Sequence, residues 1–369
     1  MSLRHYRQRG LSLVELMVAL TIGLMILSAA TTIMVTSKIT YTTQDSLARL
    51  QENARFAIHL VSRDIRMAGF YGCADEVSTV VNRLNTGAAN AEWFDFSQAV
   101  EGSNGSGTLF PSNATVTAVT GVTRVAGSDA FALRYAEPAD QILLASEMTQ
   151  QSASMKVTSN SGLNAGEIVM ITDCDGADIF QITNLNNAGG FDNVIHNTGG
   201  GSGQWPGNSN DSNPHKLSKA YRADARIMRF NSVRYYVGEK ADGVRGLYRQ
   251  TVSGSGGTAA LQHMELVEGV EDMRVSYGVD TNSDKIPDRY VKAGAAGLTT
   301  PLQWENVVSM RVGLLFSTVA NTDANQAGKT FNTHVDDQTY LVNGEVVDPP
   351  DARRERRVFL TTVTLRNRK

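Results

Sequence analysis

Glu15 is the only charged residue between positions 11 and 37, where everything else is apolar, small or hydroxylated. A carboxylate in the hydrocarbon of a membrane costs about 2.5–3.5 kcal/mol even on lenient scales, so one placed there has a partner or a function. A second group of acids lies in the string DTNSDKIPD, residues 280–288. It sets Asp280, Asn282, Asp284 and Asp288 at positions one, three, five and nine of a calcium-loop pattern, a spacing that can converge oxygens on one hard cation. Lys285 stands where the turn glycine belongs, and Val291 where a bidentate glutamate would close the shell. Two readings are open: a weak calcium site, or a polar hairpin turn behind a strand at 273–279. The pair Asp336 and Asp337 has less spacing support.

Other chemistry is thinly provided. The six histidines are scattered, and no His-Glu-x-x-His, phosphate-cradling Gly-x-x-x-x-Gly-Lys or Gly-x-Ser-x-Gly string occurs, so no enzyme is expected. The two cysteines, Cys73 and Cys174, are too few for a zinc site. In an exported protein such a pair forms one disulfide more often than two free thiols. The bridge would tie the end of an N-terminal helix to the middle of the chain, and the chain-entropy relation credits a loop this long with about 4–5 kcal/mol. The net charge of -3 gives no basic excess, and no nucleic-acid partner is expected. The basic run RRERR at 353–357 contains Glu355 and reads as a solvated approach to the last strand.

The elements that must position these groups begin with the amino terminus. The polar, basic segment MSLRHYRQRG leads directly into the apolar run. No charge occurs between Leu16 and Ser37, so this stretch is long enough to span a bilayer. The positive-inside bias keeps the leader cytoplasmic and places the rest in the periplasm. A secretory signal would have a shorter apolar core followed by a small-x-small cleavage site. Beyond Lys38, Leu47, Leu50, Ala54, Ile58, Val61, Ile65 and Ala68 recur at spacings of three and four, one face of an α-helix. No proline occurs before Pro111, so one helix of about 55 residues, about 80 Å long, is expected over 11–68.

The string RG-LSLVEL resembles the type IV prepilin motif, in which a dedicated peptidase cuts after glycine and methylates the new amino terminus. The matching residues are Gly10, Leu11 and Glu15, Leu11 replacing the more usual phenylalanine. The resemblance implies cleavage between Gly10 and Leu11, N-methylation of Leu11, and pairing of Glu15 with the amine of a neighbouring subunit. LQENARFAIHLVSRDIRMAGFYGC at 50–73, ITDC at 171–174 and RRVFLTTVTLRNR at 356–368 further resemble PilW-type minor pilins. These strings lie at the beginning, middle and end, so the resemblance is read as full-length. It implies a low-abundance, non-catalytic subunit that starts assembly with other minor pilins and the major pilin and supports a large PilY-type adhesin at the tip. It also implies adhesion, twitching motility, an inner-membrane stage before the surface pilus, and contact with prepilin peptidase. A minor pseudopilin of a type II secretion system, or an anchored binding module, remains an alternative.

The fold class that follows is α+β and pilin-like: a long N-terminal helix packed on a large β-rich domain. Its parts are a leader (1–10), a helix (11–68, hydrophobic to 37 and amphipathic from 38) and a periplasmic or extracellular domain (69–369). After Gly69 short alternating runs are separated by Gly, Ser, Asn and Asp. Strands are expected at 115–119, 130–135, 155–158, 168–172, 179–183, 227–237, 246–250, 273–279, 307–316 and 358–365. Long loops are expected at 101–107, 186–214 and 253–258, the second carrying Trp205 as an exposed aromatic.

Overall fold

The computed structural model describes residues 12–72, 80–85, 91–94, 98–112, 114–137, 142–151, 154–198, 205–209, 216–255, 258–318, 339–348 and 354–367. Helix α1 runs Leu13–Met67, 55 residues without a break, or about 82 Å at the standard rise. The strands that follow are β1 (Val80–Asn82), β2 (Val100–Ser103), β3 (Val122–Arg124), β4 (Ala130–Glu137), β5 (Ser154–Thr158), β6 (Ile168–Thr172), β7 (Ala177–Gln181), β8 (Asn184–Ala188) and β9 (Phe191–Ile195). They continue with β10 (Arg226–Lys240), β11 (Arg245–Ser255), β12 (Thr258–Glu268), β13 (Val270–Val279), β14 (Arg289–Val291), β15 (Val307–Ser317), β16 (Tyr340–Val342), β17 (Glu345–Val347) and β18 (Arg356–Thr364). Two short helices, α2 (Ala91–Phe94) and α3 (Pro301–Glu305), complete the set. The expected α+β, pilin-like class is what the structure shows.

Strand β10 organises a nine-stranded sheet. One of its edges takes β6 and then β11; the other takes β4 and then β3. Fifteen residues allow this sharing, and the mostly buried pattern of RIMRFNSVRYYVGEK explains why the strand survives in the middle of a sheet. A second sheet, ordered β14-β13-β15-β18, is wholly antiparallel. The β16–β17 hairpin crosses the outer side of this sheet, with Val342 and Val347 packed on Leu315. Its turn is Asn343-Gly344, both residues at positive φ (50 and 83), the backbone an Asn-Gly hairpin turn requires.

The main core lies where three layers meet. Leu50, Ala54, Ala57, Val61 and Ile65 of α1 pack among Phe131, Leu133, Tyr235 and Leu247 of the large sheet and Val275, Val312 and Val363 of the smaller one. The expected helical face is largely the buried face, though Leu47 and Ile58 are only half-buried and Ala57 joins them unforeseen.

Several expectations fail locally. Residues 115–119 form no strand; Thr115 makes one isolated bridge, to Thr108. The segment 101–107 was expected as a loop, but 100–103 is the fully buried strand β2, with Glu101 ion-paired to Arg134 at 2.9 Å. Within 186–214, the hairpin β8–β9 replaces the start of the expected loop. The expected loop 253–258 carries the paired ends of β11 and β12. In the last three cases pairing with a neighbouring strand overrode local Gly, Ser and Asn content.

Candidate functional site

The functional candidate is α1 itself, whose two halves differ. From residue 13 to 38 every residue is exposed. Leu13, Leu16, Met17, Leu20, Leu24 and Ile33 have no partner layer within the described chain. The stretch is long and apolar enough to cross a membrane. Several hydroxyls here and just beyond bond within the helix: Thr31, Thr32, Thr36 and Thr40 each donate to the carbonyl four residues back, at 2.9–3.0 Å. Hydroxyl back-bonding lowers the cost of threonine in a helix within lipid, because each bonded hydrogen has an acceptor.

The amino end is built by a capping box. The Val14 N–H donates to Ser12 Oγ at 3.3 Å, and the Ser12 N–H donates to Glu15 Oε2 at 3.0 Å. Both satisfy donors that a helix start leaves free. The carboxylate therefore sits on the positive end of its own helix dipole, a reason for Glu15 that the resemblance alone did not supply. Gly10 and Leu11 lie outside the described residues.

The second half of α1 is clamped by Asp64, which is 1 % exposed. Its Oδ2 accepts from the Tyr235 hydroxyl at 2.7 Å and from Arg249 Nε at 3.1 Å. Its Oδ1 accepts from Arg63 at 3.3 Å. Arg249 also reaches the Tyr135 hydroxyl at 3.5 Å. Burial, with the Asp64 charge next, pushes the Tyr235 phenol well above its usual range, so it stays protonated and donates to Asp64. Sequence reading missed this cluster because a lone aspartate between arginines on a helix reads as solvated.

The end of the helix is fixed from the far end of the chain. Asn367 Nδ2 donates to the Arg66 carbonyl at 3.1 Å. Gly69, at φ 77, turns the backbone so that its N–H reaches the Arg134 carbonyl at 2.9 Å. A Cβ at Gly69 would press on Ala99 and Asn367, each at 3.3 Å, so glycine is required both for the turn and for the close approach.

The remaining candidates are placed as follows. Asp280 accepts N–H groups from Asn282 (3.0 Å), Ser283 (2.7 Å) and Lys285 (2.7 Å). Burial pushes its pKa up, but these N–H groups outweigh that and hold it below the usual carboxylate range. Asp288 is lowered by the Thr281 hydroxyl and N–H, and Asn282 spans Asp284 and Asp288 at 3.1 and 3.4 Å. Lys285 adopts φ 66, the left-handed backbone a glycine would otherwise supply. Among the described residues no group of three or more His, Cys, Asp or Glu is arranged to hold a metal ion. Cys73, the expected partner of Cys174, lies outside the described residues, as do Asp336 and Asp337; no described cysteine is free. Trp205 is half-buried and packs tilted against Phe94, ring centroids 5.3 Å apart, not exposed as expected. In the basic run Arg356 is buried against Glu271 at 2.6 Å, so that run is partly structural.

Two families match the chain. The one described as Prokaryotic N-terminal methylation motif matches residues 5–31. The one described as Type IV Pilus-assembly protein W matches residues 234–367, from the middle of β10 to the Asn367 cap. The resemblance read as full-length is thus matched at the two ends, and residues 32–233 lie outside both. No curated protein and no solved structure matches. These two matches, lying on the helix and sheets just described, support a type IV pilus pilin of the PilW type.

Proposed function

We propose that this chain is a non-catalytic minor pilin that helps to initiate pilus assembly and supports an adhesin complex at the tip. The observation that carries this reading is the division of α1. One half is docked on the domain, and the other presents a long apolar surface that the described chain leaves uncovered. Burying that surface, first in the inner membrane and then among the helices of other pilins, supplies the drive for assembly. Prepilin peptidase would cut between Gly10 and Leu11 and methylate Leu11. Glu15 would then exchange its capping N–H for a neighbour's amine, because a buried carboxylate favours the register that pairs it. The globular domain would be periplasmic before assembly. The match at 234–367 favours the pilus over a type II secretion system, whose pseudopilins share the leader and helix.

Two smaller proposals accompany it. Cys73 and Cys174 form a disulfide, supported by Cys174 not being free. The Asp280 loop binds calcium weakly, supported by the left-handed Lys285 backbone. Calorimetry with calcium tests the latter: no calcium-dependent heat or melting shift ends it. For the principal reading, the amino terminus is analysed by mass spectrometry in sheared filaments and in membranes. Methylated Leu11 at low abundance in filaments supports it. A processed form confined to membranes points to a pseudopilin, and an intact Met1 to an anchored domain.

A further inference from the structure

Asparagine followed by glycine is the pair at which a backbone nitrogen most readily attacks the preceding side chain, because glycine has no Cβ to block the approach. The pair occurs twice in the chain, at Asn104-Gly105 and Asn343-Gly344. The fold treats the two differently. Asn343 lies in the β16–β17 turn, and its Nδ2 donates to Ser276 Oγ at 3.0 Å and to the carbonyls of Arg311 and Arg274 at 3.3 and 3.5 Å. That carboxamide must release all of these acceptors before it can swing toward its own backbone.

Asn104 follows β2 directly and is exposed. Among the described residues its Nδ2 donates to nothing, and the Gly105 N–H has no acceptor. Its Oδ1 accepts from the Ser106 hydroxyl at 3.3 Å. The Thr108 N–H donates to Ser106 Oγ at 3.2 Å, which occupies a lone pair of that oxygen and leaves its hydrogen for Asn104. Gly105 is buried at φ 88, and its carbonyl is held by the Gly127 N–H at 3.1 Å and by Arg124 Nη2 at 3.2 Å. The attacking nitrogen thus belongs to a residue fixed in place, while the carboxamide is free to move and is polarised by Ser106.

We propose that Asn104 is a self-modifying site, which deamidates in the folded chain with Ser106 promoting the reaction. The Gly105 nitrogen gives its proton to water or hydroxide and attacks Asn104 Cγ. Negative charge develops on Oδ1, where the Ser106 hydroxyl donates to it. The tetrahedral centre then expels Nδ2, which takes up a proton and leaves as ammonia, and a cyclic imide remains. Water opens either C–N bond of the ring, giving aspartate or an isoaspartyl linkage. Both products carry a carboxylate beside the residue whose carbonyl Arg124 holds. The isoaspartyl form also lengthens the backbone there by a methylene.

The test incubates the full-length chain in detergent micelles in mildly alkaline buffer, then follows both Asn-Gly peptides by proteolysis and mass spectrometry. Asn104 is expected to convert at least ~10-fold faster than Asn343, whose hydrogen bonds must break first. In denaturant the two sites should convert at similar rates. Ser106→Ala should slow Asn104 about 5-fold, the worth of a neutral hydrogen bond, and leave Asn343 unchanged. Equal conversion of the two sites in the folded chain overturns the proposal, as does an Asn104 rate that Ser106→Ala does not alter. A preference for Asn104 that survives intact in denaturant also overturns it, in favour of local sequence alone.

Discussion

Glu15 and Asp64 are carboxylates on one helix, and they show how differently a chain can treat the same group. Asp64 is enclosed and held by Tyr235, Arg249 and Arg63. Glu15 is exposed and held only by the Ser12 N–H of its own first turn. The Asp64 half of α1 has its partners within the domain, and the Glu15 half has none among the described residues beyond its own helix. The difference teaches that one uninterrupted helix carries two kinds of information, one for folding and one for assembly. Perturbations should therefore separate cleanly between the halves.

The sharpest separation is expected from Gly10→Val. Leader cleavage and incorporation into filaments should be lost almost entirely, with the melting of the domain unchanged; immunoblotting of sheared filaments and thermal denaturation check both. Next comes Asp64→Ala, which leaves the Arg249 guanidinium buried without its carboxylate and should cost about 3–5 kcal/mol in chemical denaturation. Normal stability of that variant would break the comparison.

Asp129 sharpens it from another side, as a buried carboxylate that accepts the Val275 N–H at 2.8 Å. Burial pushes its pKa up to about 7 from 3.8. Between about pH 4 and 7 the native state holds a proton that the unfolded state has released, so stability falls as pH rises through that window. Asp129→Asn should flatten this slope and stabilise the protein at pH 8 by up to about 4 kcal/mol, read from melting curves across pH. The smallest effect is expected for Leu24→Ala, within about 0.5 kcal/mol because the site is exposed. Leu50→Ala, on the packed half, should cost about 2–5 kcal/mol in the same denaturation experiment.

Both halves of the helix were legible in the sequence. The apolar run and the three-and-four spacing from Leu50 to Ile65 are local patterns, and no proline interrupts them. The Asp64 clamp was not legible, since its partners lie far along the chain and nothing local marks the aspartate as buried. Trp205 and Glu101 misled for the same reason: polar, glycine-rich neighbours suggested loops, while Phe94 and Arg134 waited elsewhere to cover them. Strands β16 and β17 were missed because each is three residues long. The central strands 130–135, 168–172 and 307–316 were found because burial on both faces leaves continuous apolar runs.

The Asn367 cap bears on the order in which the molecule can be completed. The residues that close α1 against the domain, Val363, Leu365 and Asn367, lie some 300 positions after the helix they secure. Contacts that distant in sequence form late. The second half of the helix must therefore wait, undocked, until the chain through Asn367 has been made. A chain cut before Val363 would lack these contacts and leave the docked half of α1 unsecured at its end.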